Sequence, residues 1–168
     1  YAAPTLGIAM ASNNAQANTQ ATTGNTITLT ITASEAVTAL VCTIDGEATT
    51  MGGSGTSWTS ALVLSGDETQ QSTVFSCASF KDATGNVGTT DTTATSGSVN
   101  IDYAVPTLGI VMASNNADTS KAKSGDIITL TITASESVTL LVCTIDGEAT
   151  TMGGSGTSWT SALTLSGD

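Results

Sequence analysis

Apolar and polar residues alternate along several short stretches of the chain, which is the pattern of strands in a half-buried β-sheet. Leu6, Ile8 and Met10 alternate with Gly and Ala, and the stretch 26–32 alternates Ile and Leu with threonines. Further predicted strands are LVCTI, SWTSALVL, TVFSCASF and a Thr-rich stretch that ends in SVNID. The first hundred residues therefore predict about seven strands and no helix of useful length.

Turn signals separate these stretches about every 8–12 residues, as in an antiparallel β-sandwich. Asp45-Gly46 follows LVCTI and predicts a type I′ hairpin, which requires two residues that tolerate positive φ. The segment MGGSG is predicted as a flexible connection, and Trp58, Leu62 and Leu64 share one face of the strand after it. The fold class is accordingly predicted as all-β, built from antiparallel sandwiches.

The chain repeats itself with a period of about one small domain. The segment YAAPTLGIAMASNNA at Tyr1 returns as YAVPTLGIVMASNNA at Tyr103, and the 23 residues from Leu40 return unchanged from Leu141. The offset is 102 residues for the first segment and 101 for the second. One residue is therefore missing between them in the second copy, in the polar stretch DTSKAKSGD, which we predict to be a surface loop.

The repeat predicts two domains. Residues 1–102 make one complete copy, and residues 103–168 make a second copy that stops at the point equivalent to Asp67, so that its last strands are missing. Because the sequence also begins with Tyr and not Met, we expect it to be a processed or excised piece of a longer tandem array.

Composition excludes several functions. The chain has 14 Asp and Glu against 3 Lys and Arg, for a formal net charge of −11, and it has no His. An acidic surface repels phosphate backbones and anionic lipids, so neither nucleic acid nor a membrane is an expected partner. No stretch approaches about 18 consecutive apolar residues, so no membrane insertion is expected. Without His the commonest general base is missing, and no enzymatic activity is predicted.

Three motifs resemble the bacterial immunoglobulin-like repeat: PTL near the start, TLTITASEAV in the second strand, and FKDATGNVG late in the copy. The most specific part is the turn Asp82-Ala-Thr-Gly85-Asn86, where Asp accepts hydrogen bonds and Gly and Asn tolerate left-handed backbone. The resemblance implies immunoglobulin-like β-sandwiches, of the kind that build bacterial adhesins and extracellular filaments in tandem. It implies a scaffold and no particular ligand.

The same resemblance suggests a metal. In related tandem adhesin repeats calcium sometimes stiffens the junctions between domains, and Asp82, Asp102 and Glu136 are the candidate ligands here. The alternative is that these carboxylates only solvate the surface, and no other cofactor is expected.

The three cysteines depart from the resembled family, which usually lacks them. Cys42 and Cys77 fall on strands that should be neighbours in one sheet of a seven-strand sandwich, so we predict a disulfide between them; Cys143 copies Cys42, and its partner would lie outside the chain. Alternation counted back from the DATGN turn places Cys77 on the face opposite Phe80, which a bulge would reconcile. The alternative is two separate buried thiols. A disulfide would fit an extracellular setting.

These features predict a structural role: a stiff spacer or assembly unit of an extracellular stalk or filament. SVNID runs into YAVPTL without a Gly/Ser linker, and Pro106 restricts the backbone just after the join. The expected partners are neighbouring copies of the repeat, with self-assembly into fibres. The alternative is an adhesin module that binds a surface glycan or a protein, in which case the site residues should differ between copies. The strongly variable stretch is the loop at 16–26 and 118–127.

Overall fold

The computed structural model describes residues 2–166, which form β-strands joined by turns and contain no helix. The all-β prediction is thus confirmed. The described residues divide into two compact units, with the division after Tyr103. The strands of the first unit are β1 (Leu6–Ser12), β2 (Gln20–Ala21), β3 (Thr26–Val37), β4 (Val41–Ile44), β5 (Glu47–Ala48), β6 (Thr50–Val63), β7 (Phe75–Ala78) and β8 (Asn100–Ile101).

Two antiparallel sheets enclose one apolar core in the first unit. The strand order is β1-β3-β6 in one sheet and β5-β4-β7 in the other. Ile8 and Ile31 of the first sheet and Cys42 and Phe75 of the second belong to the same buried cluster. A short pair, β2 with β8, is parallel and departs from the antiparallel prediction.

Strand β3 carries the center of this core. Ile27, Leu29 and Ile31 are completely buried, as their alternation with threonine predicts. Burial of each such side chain contributes about 1.5–3 kcal/mol. In the paired register Ile31 lies between Ile8 of β1 and Trp58 of β6, so one face of the sheet is apolar across all three strands.

Two turns decide how the middle of the unit folds. Asp45 and Gly46 have φ values of 51° and 86° and join β4 to β5, which confirms the predicted hairpin. The MGGSG segment was predicted as a flexible connection, and this is wrong, because it lies within β6. Gly53 and Gly55 adopt positive φ, and Gly53 comes so close to Ser57 and Trp58 that a side chain would not fit. The strand therefore folds back on itself around Gly55.

The Thr-rich stretch also differs from the prediction. It was predicted as a full strand, yet β8 comprises only two residues, and isolated bridges such as Ala9 with Ser96 hold the rest. In this stretch, short polar side chains form hydrogen bonds with backbone groups in place of regular strand pairing. The Thr95 hydroxyl donates to Ile8 O at 2.8 Å, and the Asp91 carboxylate accepts from the Thr93 amide at 2.9 Å. A run of threonines has few apolar residues to bury, so it forms no regular ladder.

The second unit repeats part of this arrangement. Its strands are β9 (Leu108–Ser114), β10 (Ile127–Val138), β11 (Thr144–Ile145), β12 (Glu148–Ala149) and β13 (Thr151–Thr164). They form one sheet of order β9-β10-β13 and the hairpin β11-β12. Asp146 and Gly147 again have positive φ, so the hairpin turn is the same in both units.

Candidate functional sites: a disulfide, an acidic turn and a tyrosine–glutamate contact

Cys42 and Cys77 form a disulfide between β4 and β7. The two residues lie directly opposite each other, with Cα atoms 4.1 Å apart, and both side chains are buried. Cys77 exchanges both of its backbone hydrogen bonds with Asp91 on its other side. The pair with Cys42 is therefore of the non-hydrogen-bonded kind, in which opposing Cα atoms approach most closely. Cys42 and Cys77 can form a disulfide because both side chains are buried and the two residues lie directly opposite each other on paired strands.

The conflict over the face of Cys77 is resolved after the strand ends. Cys77 and Phe80 both point into the core, three residues apart, although strict alternation would separate them. Ser79, just beyond β7, adopts a left-handed φ of 63°, which turns the chain and directs Phe80 inward. A positive φ at Ser79 thus does what a bulge was expected to do.

Cys143, the copy of Cys42, is a free, half-buried thiol in the second unit. The residues around it reproduce one contact of the first unit: the hydroxyl of Thr150 donates to the Cys143 carbonyl at 2.9 Å, as Thr49 does to Cys42 at 2.8 Å. The thiol position is therefore kept while its partner strand is not among the described residues.

The Asp82 turn is a closed hydrogen-bonded loop. Asp82 Oδ1 accepts from the amides of Thr84 and Asn86 at 2.9 and 2.8 Å, and Oδ2 accepts from Asn86 Nδ2 at 2.7 Å. Burial raises the pKa of the Asp82 carboxyl, but the hydrogen bonds from Asn86 and Thr84 outweigh it and lower this pKa to about 2. Gly85 has a φ of 91°, which the turn requires. These side chains hold the turn together.

Gly88, for which no role was predicted, also belongs to this region. Gly88 lies against the ring of buried Phe80, and any side chain at Gly88 would collide with that ring. The Gly88 amide donates to the Phe80 carbonyl at 3.0 Å, which fixes the close approach. The signal was present, because Gly88 ends the FKDATGNVG motif.

The calcium candidates are divided between the two units: Asp82 and Asp102 belong to the first, and Glu136 belongs to the second. Both carboxylate oxygens of Asp82 accept hydrogen bonds within its own turn. Asp102 accepts from Gln70 Nε2 at 3.1 Å in the first unit, and Glu136 is half-buried on β10 of the second. Among residues 2–166, no group of three or more His, Cys, Asp or Glu side chains is placed to hold a metal ion.

Tyr103 and Glu68 form the second feature that the sequence did not reveal. The Tyr103 hydroxyl donates to Glu68 Oε2 at 2.6 Å, and its ring packs on the core of the first unit. Glu68 also accepts from the amides of Ser65 and Gly66 at 2.8 and 3.0 Å. Burial raises the pKa of Glu68, but these hydrogen bonds, that of Tyr103 foremost, lower it to about 2. Burial and the bond to Glu68 raise the pKa of Tyr103.

The two tryptophans and one groove of the first unit are further features that could contact a ligand. The indole nitrogens of Trp58 and Trp159 donate to the carbonyls of Gly55 and Gly156 at 3.0 and 2.9 Å, so each indole closes its own turn. A groove of about 320 Å³ in the first unit is polar. Its lining consists of Gln20, Gln70, Gln71, Ser72, Asn100, Ile101 and Asp102, with no aromatic ring.

No protein-family model matches this chain, and no curated protein matches its sequence. The part of the chain described here contains no helix long and apolar enough to cross a membrane. The buried disulfide fits an oxidising environment.

Proposed function

We propose that this chain is part of a structural repeat of an extracellular stalk or filament, in which each copy of a bacterial immunoglobulin-like domain acts as a stiff spacer. The observation that carries the proposal is the unchanged recurrence of 23 residues, Leu40–Leu62 and Leu141–Leu163. A spacer gains from repetition of the same unit, whereas a binding module needs one particular site.

The use of polar side chains supports this proposal. Asp82, Asn86 and Thr84 bond to one another, the tryptophan indoles bond to their own turns, and the polar groove carries no aromatic ring. Ligand pockets are lined mainly by apolar and aromatic side chains with a few polar groups, and the polar groove of the first unit lacks such a lining. The alternative of an adhesin that grips a glycan is therefore the weaker one.

The junction supports stiffness. Tyr103 is the first residue of the second copy in sequence, yet it packs on the first unit and bonds to Glu68. The chain then reaches Pro106 after two residues, with no flexible Gly/Ser linker between. Because Tyr103 is held on the first unit and two residues separate it from Pro106, the connection between copies has little conformational freedom, which favors a semi-rigid array.

The disulfide supports an extracellular location, and the charge supports solubility of the rods. Cys42–Cys77 suits an oxidising compartment, and a net charge of −11 keeps neighboring rods soluble and mutually repulsive. Other copies of the repeat are the partners we propose, joined end to end along the filament.

The test uses polypeptides with two, three and four head-to-tail copies of residues 1–102. Strands of about ten residues give a domain of roughly 35–40 Å, so the maximum dimension in solution scattering should grow by about that length per copy. Growth well below that value, as in a collapsed or freely jointed chain, contradicts the spacer. A glycan array and a pull-down with the same polypeptides should be blank, and specific retention of one glycan or protein would instead favor the adhesin.

A further inference from the structure

The first and last segments of the first unit lie side by side and run in the same direction. We call residues 6–21 the entry segment and residues 95–103 the exit segment. Ala9 of the entry segment forms a parallel bridge with Ser96, and β2 pairs in parallel with β8. The chain therefore enters this pair of segments at one end and leaves it at the other.

Thr95 makes the first contact between the two segments with both of its polar groups. Its amide donates to Ile8 O at 2.7 Å, and its hydroxyl donates to the same carbonyl and accepts from the Ile8 amide, both at 2.8 Å. The Met10 amide donates to the Ser96 carbonyl at 3.0 Å. Gly97 lies so close to the Met10 carbonyl that a side chain at this position would collide with it.

The second contact lies farther along both segments, at β2 and β8. The amides of Asn100 and Asp102 donate to the carbonyls of Thr19 and Ala21, each at 2.9 Å. Ala21 and Ile101, which are paired there, are both buried. Water therefore competes little for these backbone hydrogen bonds.

Each segment is also held by the rest of the sandwich. On the entry side, β1 pairs with β3 along its whole length. On the exit side, the Thr73 amide donates to the Val99 carbonyl and the Ile101 amide donates to the Gln71 carbonyl, both at 2.8 Å. A pull on either segment is therefore passed on to other strands of the unit.

Tyr103 fixes the point at which the chain leaves the first unit. Its ring packs on the core, and its hydroxyl donates to Glu68. β8 ends two residues earlier, at Ile101. Separation of β8 from its carboxyl end therefore requires that the Tyr103 contact be broken first.

The direction of the chain decides how tension loads these bonds. Tension in an array reaches the entry segment from the residues before Leu6 and the exit segment from the residues after Tyr103. Because the segments are parallel, the two forces act in opposite directions along the strands, and the hydrogen bonds of both contacts share the load. In an antiparallel pair the two forces would act at the same end, and the bonds would open one after another.

We propose that the first unit has a load-bearing function, in which the entry and exit segments form a shear clamp that resists tension along the chain. The Cys42–Cys77 disulfide limits the extension once the clamp opens. It spans a sequence separation of 35, so at about 3.4 Å per residue it withholds about 120 Å of chain. The inference rests on the proposed stalk function for the source of the tension, whereas the clamp is a property of one unit.

The test is single-molecule force spectroscopy on the full chain, with handles attached by a reaction that does not use thiols. In the shear arrangement the handles are at the amino terminus and at Val105, so that only the first unit is loaded. In the peel arrangement the second handle is at Thr92, and both segments are pulled from the same end. Val105 and Thr92 are exposed. We expect a severalfold higher opening force in shear, and equal forces in the two arrangements would overturn the clamp.

Matched variants separate the clamp from overall stability. Thr95→Val removes the hydroxyl that bonds to both backbone groups of Ile8, and it should lower the opening force in shear. Thr49→Val is the control, because it also removes a hydroxyl with two bonds, to the Cys42 carbonyl and to Ser60, but lies outside the clamp. It should lower the stability in urea and leave the opening force unchanged. An equal loss of force in both variants would mean that overall stability sets the resistance.

The length released on opening tests the role of the disulfide. With dithiothreitol present, opening exposes the disulfide, which takes two electrons and two protons from the dithiol and becomes two thiols, while the dithiol becomes a cyclic disulfide. A second lengthening of about 120 Å should follow. Full extension without reductant would contradict the limit.

The clamp and the spacer can fail separately. A low opening force in shear, with full growth of the maximum dimension per copy in solution scattering, would overturn the clamp and leave the spacer. A high opening force with little growth per copy would support the clamp and contradict the spacer.

Discussion

The Tyr103 hydroxyl donates a hydrogen bond of 2.6 Å to Glu68 Oε2, so the first residue of the second sequence copy is anchored on the first compact unit. The sequence repeat begins at Tyr103, whereas the first unit ends with it. Tyr103 therefore belongs to the second copy by sequence and to the first unit by its contacts.

Removing the hydroxyl should make the first unit less stable in a pH-dependent way. Tyr103→Phe keeps the ring and loses the hydrogen bond. Because the acceptor is charged and partly solvated, we expect this loss to lower the free energy of unfolding by about 1 kcal/mol near neutral pH. The folded pKa of Glu68, about 2, lies below its ordinary 4.5. The stabilisation is therefore full above pH 4.5 and is lost as the pH falls through about 2.

Urea unfolding at pH 7 and pH 2 measures this difference. The loss in Tyr103→Phe should shrink toward zero at the lower pH. In a Glu68→Ala background, which lacks the acceptor, the same substitution should have little further effect. An equal loss at both pH values would show that the ring, and not the charged hydrogen bond, carries the contact.

The disulfide should account for a large part of the stability of the first unit. It closes a loop with a sequence separation of 35. For a loop of this size the chain-entropy argument gives about 3–4 kcal/mol. The variant with both Cys42→Ala and Cys77→Ala should lose about that much in denaturant unfolding. Cys143→Ala, which breaks no disulfide, should stay within about 0.5 kcal/mol. Similar denaturation midpoints for the parent chain, the double variant and Cys143→Ala would contradict a stabilising role of the disulfide.

The strand pattern of the first unit was largely predictable because its signals are local. Ile27, Leu29 and Ile31 alternate strictly with threonine, and Asp45-Gly46 dictates its own turn, so neither depends on distant residues. The disulfide also followed, since neighboring strands bring Cys42 and Cys77 into register.

The errors arose where the fold depends on distant residues or on unusual backbone. Gly53 and Gly55 turn the MGGSG segment back within β6, and glycine runs do not distinguish a tight turn from a flexible loop. The left-handed φ of Ser79 had no sequence signal.

The candidate sites were predictable in part. The Asp82 turn could be predicted because all its hydrogen bonds lie within five residues. The Tyr103–Glu68 contact spans 35 residues and joins two unlike side chains, so composition and spacing do not reveal it. The recurrence of Tyr at positions 1 and 103 was the available hint.

Gly88 should be intolerant of any side chain. Gly88→Ala drives its Cβ into the ring of buried Phe80, and overpacking of this kind typically costs about 1–3 kcal/mol. Thermal unfolding of the variant measures the loss. Adding Phe80→Leu removes the colliding ring atoms, so the two substitutions together should be less destabilising than the sum of the single ones. Strict additivity would mean that the collision is relieved in some other way.

The Asp82 carboxylate should stabilise the first unit at neutral pH and cease to do so in acid. Its folded pKa of about 2 is below the ordinary 3.8, so its contribution is present above pH 3.8 and disappears as the pH falls through about 2. Asp82→Asn has only one oxygen and places an amide against the Asn86 amide, so it should lower the melting temperature at pH 7. Asp91→Asn is the control, since one side-chain bond to Thr93 is at stake there. A melting temperature equal to that of the parent at pH 7 would argue against the turn as a stabilising element.

Replacement of the buried Thr73 hydroxyl should stabilise the first unit. Thr73 is 9% exposed, and its Oγ1 has no hydrogen-bond partner among the described residues, while its amide donates to the Val99 carbonyl at 2.8 Å. Thr73→Val keeps the shape and that backbone bond and removes the unsatisfied oxygen. We expect the free energy of unfolding to rise by about 1 kcal/mol, as measured by urea denaturation.

Thr49→Val is the matched control with the opposite sign. The Thr49 hydroxyl donates to the Cys42 carbonyl at 2.8 Å and accepts from buried Ser60 at 2.7 Å, so its removal leaves two groups without a partner. The loss should be about 1–3 kcal/mol. If both variants are destabilised alike, the Thr73 hydroxyl has a partner in solution and the two sites are energetically equivalent. A gain at Thr73 with a loss at Thr49 shows that hydrogen-bond satisfaction, not burial of a hydroxyl as such, decides the sign.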